Sequence, residues 1–254
     1  MKSRLARATD SREPPAKATL RALLTANGPR LGLTTAAVET IVRQSQITHW
    51  RAGQQIFAPG DTHDLVNFLV AGAVKVTCAG QRGTTVVAQI VRPGQFFGLA
   101  SLFAPPRPRQ FGAVAHTGAI VAVMSQEMLT SVLETLPPGR ALQLMAFSWR
   151  VLSRLLYEKC LLLTMPIAER LVHELAVLAH DFGQPERGGI RIDLPITQAD
   201  LAELVVGSRA NVSRAFARLK RARQVEVVGR RLVLTRRFPA AMAQAVDRSV
   251  PFGT

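Results

Sequence analysis

The sequence predicts an α+β chain in three parts, on three observations. Between Trp50 and about Met128, short β-rich runs alternate with turn signals. From Leu136 to Thr164 the chain reads as one long apolar helix. From Ile196 to Leu234, two short capped helices are followed by a small hairpin. A chain of 254 residues with 48% hydrophobic content holds one large domain or two ordinary ones, each with a core of its own.

The opening residues 1–18, MKSRLARATDSREPPAKA, are basic and are expected to form a disordered arm; no apolar run comes after them, so they do not read as a secretory signal. Helices are expected at Thr19–Ala26 and Thr35–Gln44. The runs GQQIFAPGD, LVNFLVAGAVKVTCAG, TTVVAQIVRPGQFFG and AIVAVMSQEML then have the spacing of an antiparallel barrel or jelly roll, turning at Gly60-Asp61, Ala79-Gly80 and Pro93-Gly94. Residues 19–135 are read as this roll with its flanking helices.

Residues 136–164 form the long helix, with Pro137 and Pro138 at its start, where proline is tolerated. Leu142, Met145, Trp149, Leu152, Leu156 and Leu163 recur at alternating spacings of three and four, interrupted at Lys159, as in a coiled-coil seam. Leu155 and Leu162 widen the stripe, which would equally suit packing on the roll. The capped helix pair near the C-terminus favours dimerisation, because one helix-turn-helix reads too few bases and a dimer supplies the second half-site. Pro166 ends the long helix and opens another, IAERLVHELAVLAHDF. Gly183 terminates that one, and 183–189, GQPERGG, is expected to be a loop within a domain spanning 165–237. Residues 238–254 are left as a tail.

In ITQADLAELVVGSRANVSRAFARLKR, Thr197 is a good N-cap and Asp200 completes a box-like start, so a helix is expected over Gln198–Val205 with Leu201, Leu204 and Val205 on one face. Gly207 breaks the pattern. Ser208 caps a second helix, 208–221, whose Val212, Phe216 and Leu219 recur at i, i+4 and i+7, leaving Arg209, Ser213, Arg214 and Arg218 on the other side. Two short helices joined by a tight turn let the second enter the major groove, where Arg209 and Arg214 can each donate twice to guanine O6 and N7. Ser208, Asn211 and Ser213 suit phosphates or base edges, and Thr197 and Arg218 complete the helical set. VEVVGRRLVL comes next as two strands, Val225–Val228 and Leu232–Leu234, turning at Gly229-Arg230; Arg230 and Arg231 at such a wing tip would touch phosphates.

Charge agrees. The formal net charge is +15, and from Gly207 to Arg237 ten basic residues face the single acid Glu226. A polyanionic partner, double-stranded DNA, is expected rather than a membrane, since no apolar run approaches the ~20 residues that span a bilayer. Cys78 and Cys160 lie far apart and form neither a Cys-x-x-Cys pair nor a metal site, which points to a reducing cytoplasm. No nucleophile–base–acid arrangement, phosphate-binding glycine loop or metal-ligand spacing suggests an enzyme.

In this order, roll, long helix and winged helix-turn-helix resemble the Crp/Fnr family of bacterial transcription regulators over about Trp50 to Thr235. LVNFLVAGAVKV, RPGQFFGLASLF and ITQADLAELVVGSRANVSRAFARLKR carry the likeness most specifically. It implies a cyclic-nucleotide-binding-like β-roll and a homodimer that binds a palindromic promoter site and contacts RNA polymerase. A cyclic-nucleotide sensor acting through a protein partner is the alternative; it would need the pocket glutamate and have no use for a basic recognition helix.

Carried over residue by residue, the likeness places an effector pocket at Phe97, Gly98, Leu99, Ala100, Arg109 and Gln110, with Leu155 and Leu156 from the long helix. Gly98 and Arg109 hold the family's glycine and phosphate-arginine positions. Leu99 replaces the ribose-binding glutamate, Gln110 the serine, and leucines the polar base contacts, so cyclic AMP is not expected. Phe96 and Phe97 make the surroundings apolar, and an apolar ligand or none stays open. Haem also stays open, with His49, His63, His116, His173 and His180 available, whereas the cysteine cluster of the iron–sulfur branch is absent. Ala210 stands where the family commonly has a glutamate that accepts from cytosine N4. Val206 takes the turn position usually given to glycine, and an altered turn is expected because a β-branched residue resists positive φ.

Overall fold

The computed structural model describes residues 13–62, 65–80, 84–99, 108–229 and 231–239. The chain divides into two compact units, the first formed mainly by residues before Ser153 and the second mainly by those after Arg154.

The first unit opens with α1 (Glu13–Leu31), longer than expected at both ends. Its buried Ala16, Leu20, Leu24, Gly28 and Leu31 form one continuous stripe, and Pro14 and Pro15 fall in the first turn, where no amide partner is lost. Residues 13–18 of the expected arm are therefore helical, and 1–12 lie outside the described residues. α2 (Thr35–Gln44) starts where expected, with the Thr34 hydroxyl accepting from the Ala37 amide. Arg21 donates to both Glu39 oxygens, at 2.6 and 3.0 Å, tying α1 to α2 and holding the Glu39 carboxyl below its ordinary pKa.

Two antiparallel sheets complete the roll. One runs β1 (Gln46–Trp50), β8 (Ala119–Ser125), β3 (Leu65–Ala71), β6 (Phe96–Phe97); the other β2 (Gln55–Phe57), β7 (Phe111–Ala115), β4 (Val74–Ala79), β5 (Thr85–Val91). Leu69, Val121, Val123 and Phe97 of the first sheet meet Phe57, Val74, Val76, Val91, Ala113 and Ala115 of the second in the roll interior. On the first sheet's other face Val66, Phe68, Val70, Phe96 and Met124 pack with α1, α2 and α3 (Gln126–Glu134). A sheet buried on both faces needs apolar residues at every position, which is why LVNFLVA runs without alternation. β1 lies ahead of the expected start at Trp50, and β7 is hidden in the sequence because its small residues carry little strand signal. QEML is helix rather than strand, its start capped by Ser125, the last residue of β8, accepting from the Met128 amide.

α4 (Pro138–Thr164) is the long helix, anchored to the first unit by buried Phe147. In the second unit α5 (Ile167–Phe182) buries Leu171, Leu175 and Leu178. Gly183–Glu186 is a strand, β9, paired with β10 (Gly189–Ile192); the expected loop shrinks to the turn at Arg187-Gly188. The sheet continues through β12 (Arg231–Thr235) to β11 (Val225–Val228). Turn residues at both ends of GQPERGG suggest a loop, but Pro185 sits on an edge strand, where its missing amide costs no ladder bond. No helix among the described residues is long and apolar enough to cross a membrane.

Candidate nucleic-acid interface and effector region

α6 (Gln198–Leu204) and α7 (Arg209–Arg221) form the expected pair. Thr197 caps α6 through a reciprocal box: its amide donates to Asp200 Oδ2 at 2.8 Å, and its hydroxyl accepts from the Asp200 amide at 3.1 Å. The Ser208 hydroxyl accepts from the Asn211 amide at 3.2 Å and starts α7. Val212, Ala215 and Phe216 are buried against the rest of the unit, while Leu219 is half-buried. Arg209, Ser213, Arg214 and Arg218 are exposed, and among the described residues no carboxylate pairs with these arginines. Asn211 Oδ1 accepts from Arg214 Nη2.

The turn between the helices differs from the altered geometry expected. Val206 adopts φ +51° and keeps the left-handed conformation despite its branched Cβ. Beside it, a Cβ on Gly207 would stand 3.2 Å from Val205 Cγ2 and 3.4 Å from Val212 Cγ2, so the space there is tight. Arg170 fastens the turn from α5, its Nη1 donating to the Val205 carbonyl at 3.3 Å. In the wing, Val228 pairs with Arg231, and Gly229 leaves β11 at φ +63°, a conformation that favours glycine. Arg230 lies outside the described residues. Arg231 pairs with Asp193 at 3.0 Å, a partner that sequence spacing does not suggest.

The seam positions Leu142, Met145, Trp149, Leu152, Leu156 and Leu163 are 48–72% exposed in the single chain. Among the described residues of α4, Phe147 is the one that packs into the first unit's core.

The effector candidates are scattered. Phe97 is fully buried in the roll interior, its ring 6.1 Å from that of Phe57. The Arg109 guanidinium lies 4.3 Å over the other ring of this pair, Phe57. Its Nη2 donates to the Leu65 carbonyl at 2.6 Å and its Nη1 to the Gly98 carbonyl at 3.2 Å, and the residue is 8% exposed. Gly98 takes φ +72°, which favours glycine, and a Cβ there would stand 2.8 Å from Arg109 Nη1. Leu99 packs with the helix-side cluster, whereas Gln110 and Leu156 are exposed. Ala100 and the Leu155 side chain lie outside the described groups. Of the histidines, His49 is on β1, His116 between β7 and β8, His173 and His180 on α5, and His63 lies outside the described residues. Among the described residues no three His, Cys, Asp or Glu side chains are grouped to hold a metal ion.

Comparisons with known proteins agree with this layout. A model described as a cyclic nucleotide-binding domain matches residues 47–136, and one described as a Crp-like helix-turn-helix domain matches 169–239. The global nitrogen regulator of Synechococcus elongatus is 30% identical over 203 residues, 78% of this chain and 89% of its own. A CRP-like cAMP-activated global transcriptional regulator of Mycobacterium tuberculosis is 28% identical over 186 residues, covering 73% and 82%. Among solved structures, the c-di-GMP responsive global regulator CLP of Xanthomonas campestris matches with TM-score 0.67 at 20% identity, over 80% of this chain and 99% of that one. FixK2 of Bradyrhizobium japonicum matches with TM-score 0.65 at 22% identity, over 79% and 96%. At these identities the solved structures share the fold.

Proposed function

The chain belongs to the Crp/Fnr family of DNA-binding transcription regulators, and from that premise we propose that it acts as a cytoplasmic homodimer, binding a palindromic promoter site through α7 and contacting RNA polymerase there. The labour is then divided among a sensor roll with flanking helices to about residue 135, a dimerisation helix over 136–164, and a DNA-binding domain over 165–237. One observation carries the reading. α7 has one face packed in the core and the other lined by exposed Arg209, Ser213, Arg214 and Arg218, whose arginines have no carboxylate partner among the described residues, the polarity a phosphate-lined groove requires. The exposed seam of α4 supports the dimer, since apolar side chains at 3/4 spacing left open in one chain are complementary to a second copy.

The described residues of this roll offer a cyclic nucleotide few polar partners. Arg109 spends two guanidinium donors on backbone carbonyls and stacks on Phe57, and Leu99, where a ribose would need a carboxylate, belongs to the opposite cluster. Cyclic AMP and c-di-GMP are named for the mycobacterial and Xanthomonas proteins; here the roll is filled by its own side chains or accepts an apolar ligand.

Titration of the full chain against an operator and its base-substituted series tests the DNA reading. Arg209→Ala and Arg214→Ala each cost about 1–3 kcal/mol of specific binding and relax one position per half-site. Arg230→Ala lowers affinity for all sequences alike and reduces the salt slope by about one unit. Unchanged base preference in both recognition-helix variants would refute it.

A further inference from the structure

The reading face of α7 carries a methyl group among donors. Ala210 is exposed directly after Arg209, and Arg214 and Ala217, four and seven residues on, share its side of the helix and are exposed too. Alanine offers a methyl and no hydrogen bond. In the major groove the matching group is the C5-methyl of thymine. The polar atoms around Ala210 have a single polarity. Ser208 Oγ is taken by the Asn211 amide, Asn211 Oδ1 by the Arg214 guanidinium, and no acidic residue occurs from Ser208 to Arg223. What faces outward is the donor set of Arg209, Arg214 and Arg218, with the Ser213 hydroxyl able to turn either way. Donors beside a methyl complement guanine O6 and N7 and the O4 and methyl of thymine. They cannot select the cytosine amino group, which needs an acceptor.

We propose that Ala210 reads a thymine methyl beside a guanine read by Arg214, and that Asn211 positions Arg214 for that guanine. The inference rests on reading α7 as the DNA-reading helix. In this role Asn211 acts through Arg214, whose guanidinium its Oδ1 accepts from.

The test is selection of binding sites by the full chain from a random double-stranded DNA pool, with the selected duplex then titrated with deoxyuridine replacing each thymidine in turn. Wild type selects a half-site in which one thymine adjoins a guanine, and removing that thymine's methyl weakens binding about fourfold, the value of one buried methyl. Ala210→Glu changes this thymine to cytosine and leaves the other positions alone. Asn211→Ala lowers preference for the adjoining guanine at least threefold, and Asn211→Asp, which keeps an acceptor, restores it. A pool that yields no motif overturns the DNA reading and this inference together. A motif bound equally well with deoxyuridine throughout, or selected unchanged by Ala210→Glu, overturns the inference alone.

Discussion

Replacing Trp149 and Leu152 together by aspartate separates folding from assembly, because both side chains are open in the single chain, at 67% and 48% exposure. Neither fills the protomer core, so the stability of the protomer should change by no more than about 0.5 kcal/mol. The assembly should respond otherwise. An indole buries roughly 150–250 Å², so Trp149 leaves on the order of 150 Å² to be covered. A symmetric dimer hides that area twice, on the order of 300 Å², worth about 7 kcal/mol as an upper figure at ~25 cal/mol per Å². If half is realised, loss of the tryptophan alone weakens dimerisation by more than two orders of magnitude, and the four aspartates of a dimer add desolvated, unpaired charge. Sedimentation equilibrium at micromolar protein reads the result directly: wild type dimeric, the variant monomeric, both with the same circular dichroism. A variant that stays dimeric refutes the seam; one that unfolds refutes the placement of these side chains outside the core.

The turn and the roll give further outcomes. Val206→Gly removes left-handed strain of about 1–2 kcal/mol, partly offset by about 0.5–1 kcal/mol of added chain entropy, so thermal unfolding should show a net gain of about 0.5–1 kcal/mol; a loss would mean that the exposed valine makes contacts of its own. Cyclic AMP at millimolar concentration should leave the melting temperature almost unchanged, whereas a ligand at 100 times its Kd would add about 2.7 kcal/mol. Isothermal titration with cyclic AMP and cyclic GMP is the sharper form, and micromolar binding abolished by Arg109→Ala would restore the nucleotide sensor. Without ligand, Arg109→Ala should cost about 3 kcal/mol of stability through its two carbonyl hydrogen bonds and the Phe57 stack, measurable by urea titration.

The helical elements are legible where a cap or a proline marks them. Thr34, Thr197 and Ser208 give α2, α6 and α7 their starts, because a capping side chain acts on amides within its own turn, and Pro166 marks the start of α5 without a side-chain cap. The strands are less so. β7 and β9 are held by partners distant in sequence or on the far side of a turn, and their own residues, Gly112 and Ala113 in one and Pro185 in the other, carry no strand preference. The α7 arginines can be named from the sequence, since helix periodicity fixes which side chains share a face. The Asn211–Arg214 bond, the Arg231–Asp193 pair and the inward anchoring of Arg109 cannot, because each depends on rotamers and on backbone brought together by the fold. Leu99 and Phe97 show the same limit: residues two apart in a pocket motif belong to different cores because the chain leaves β6 after Phe97 and Gly98, at φ +72°, breaks the strand alternation.

The central claim, a dimer that reads two inverted half-sites, is tested most directly by the stoichiometry and affinity of the full chain on a duplex carrying both half-sites about one helical turn apart, compared with the same duplex after one half-site is scrambled. Two protomers per duplex, with affinity falling at least ~100-fold when one half-site is lost, is the expected result. One protomer per duplex, bound equally tightly with or without the second half-site, would contradict it.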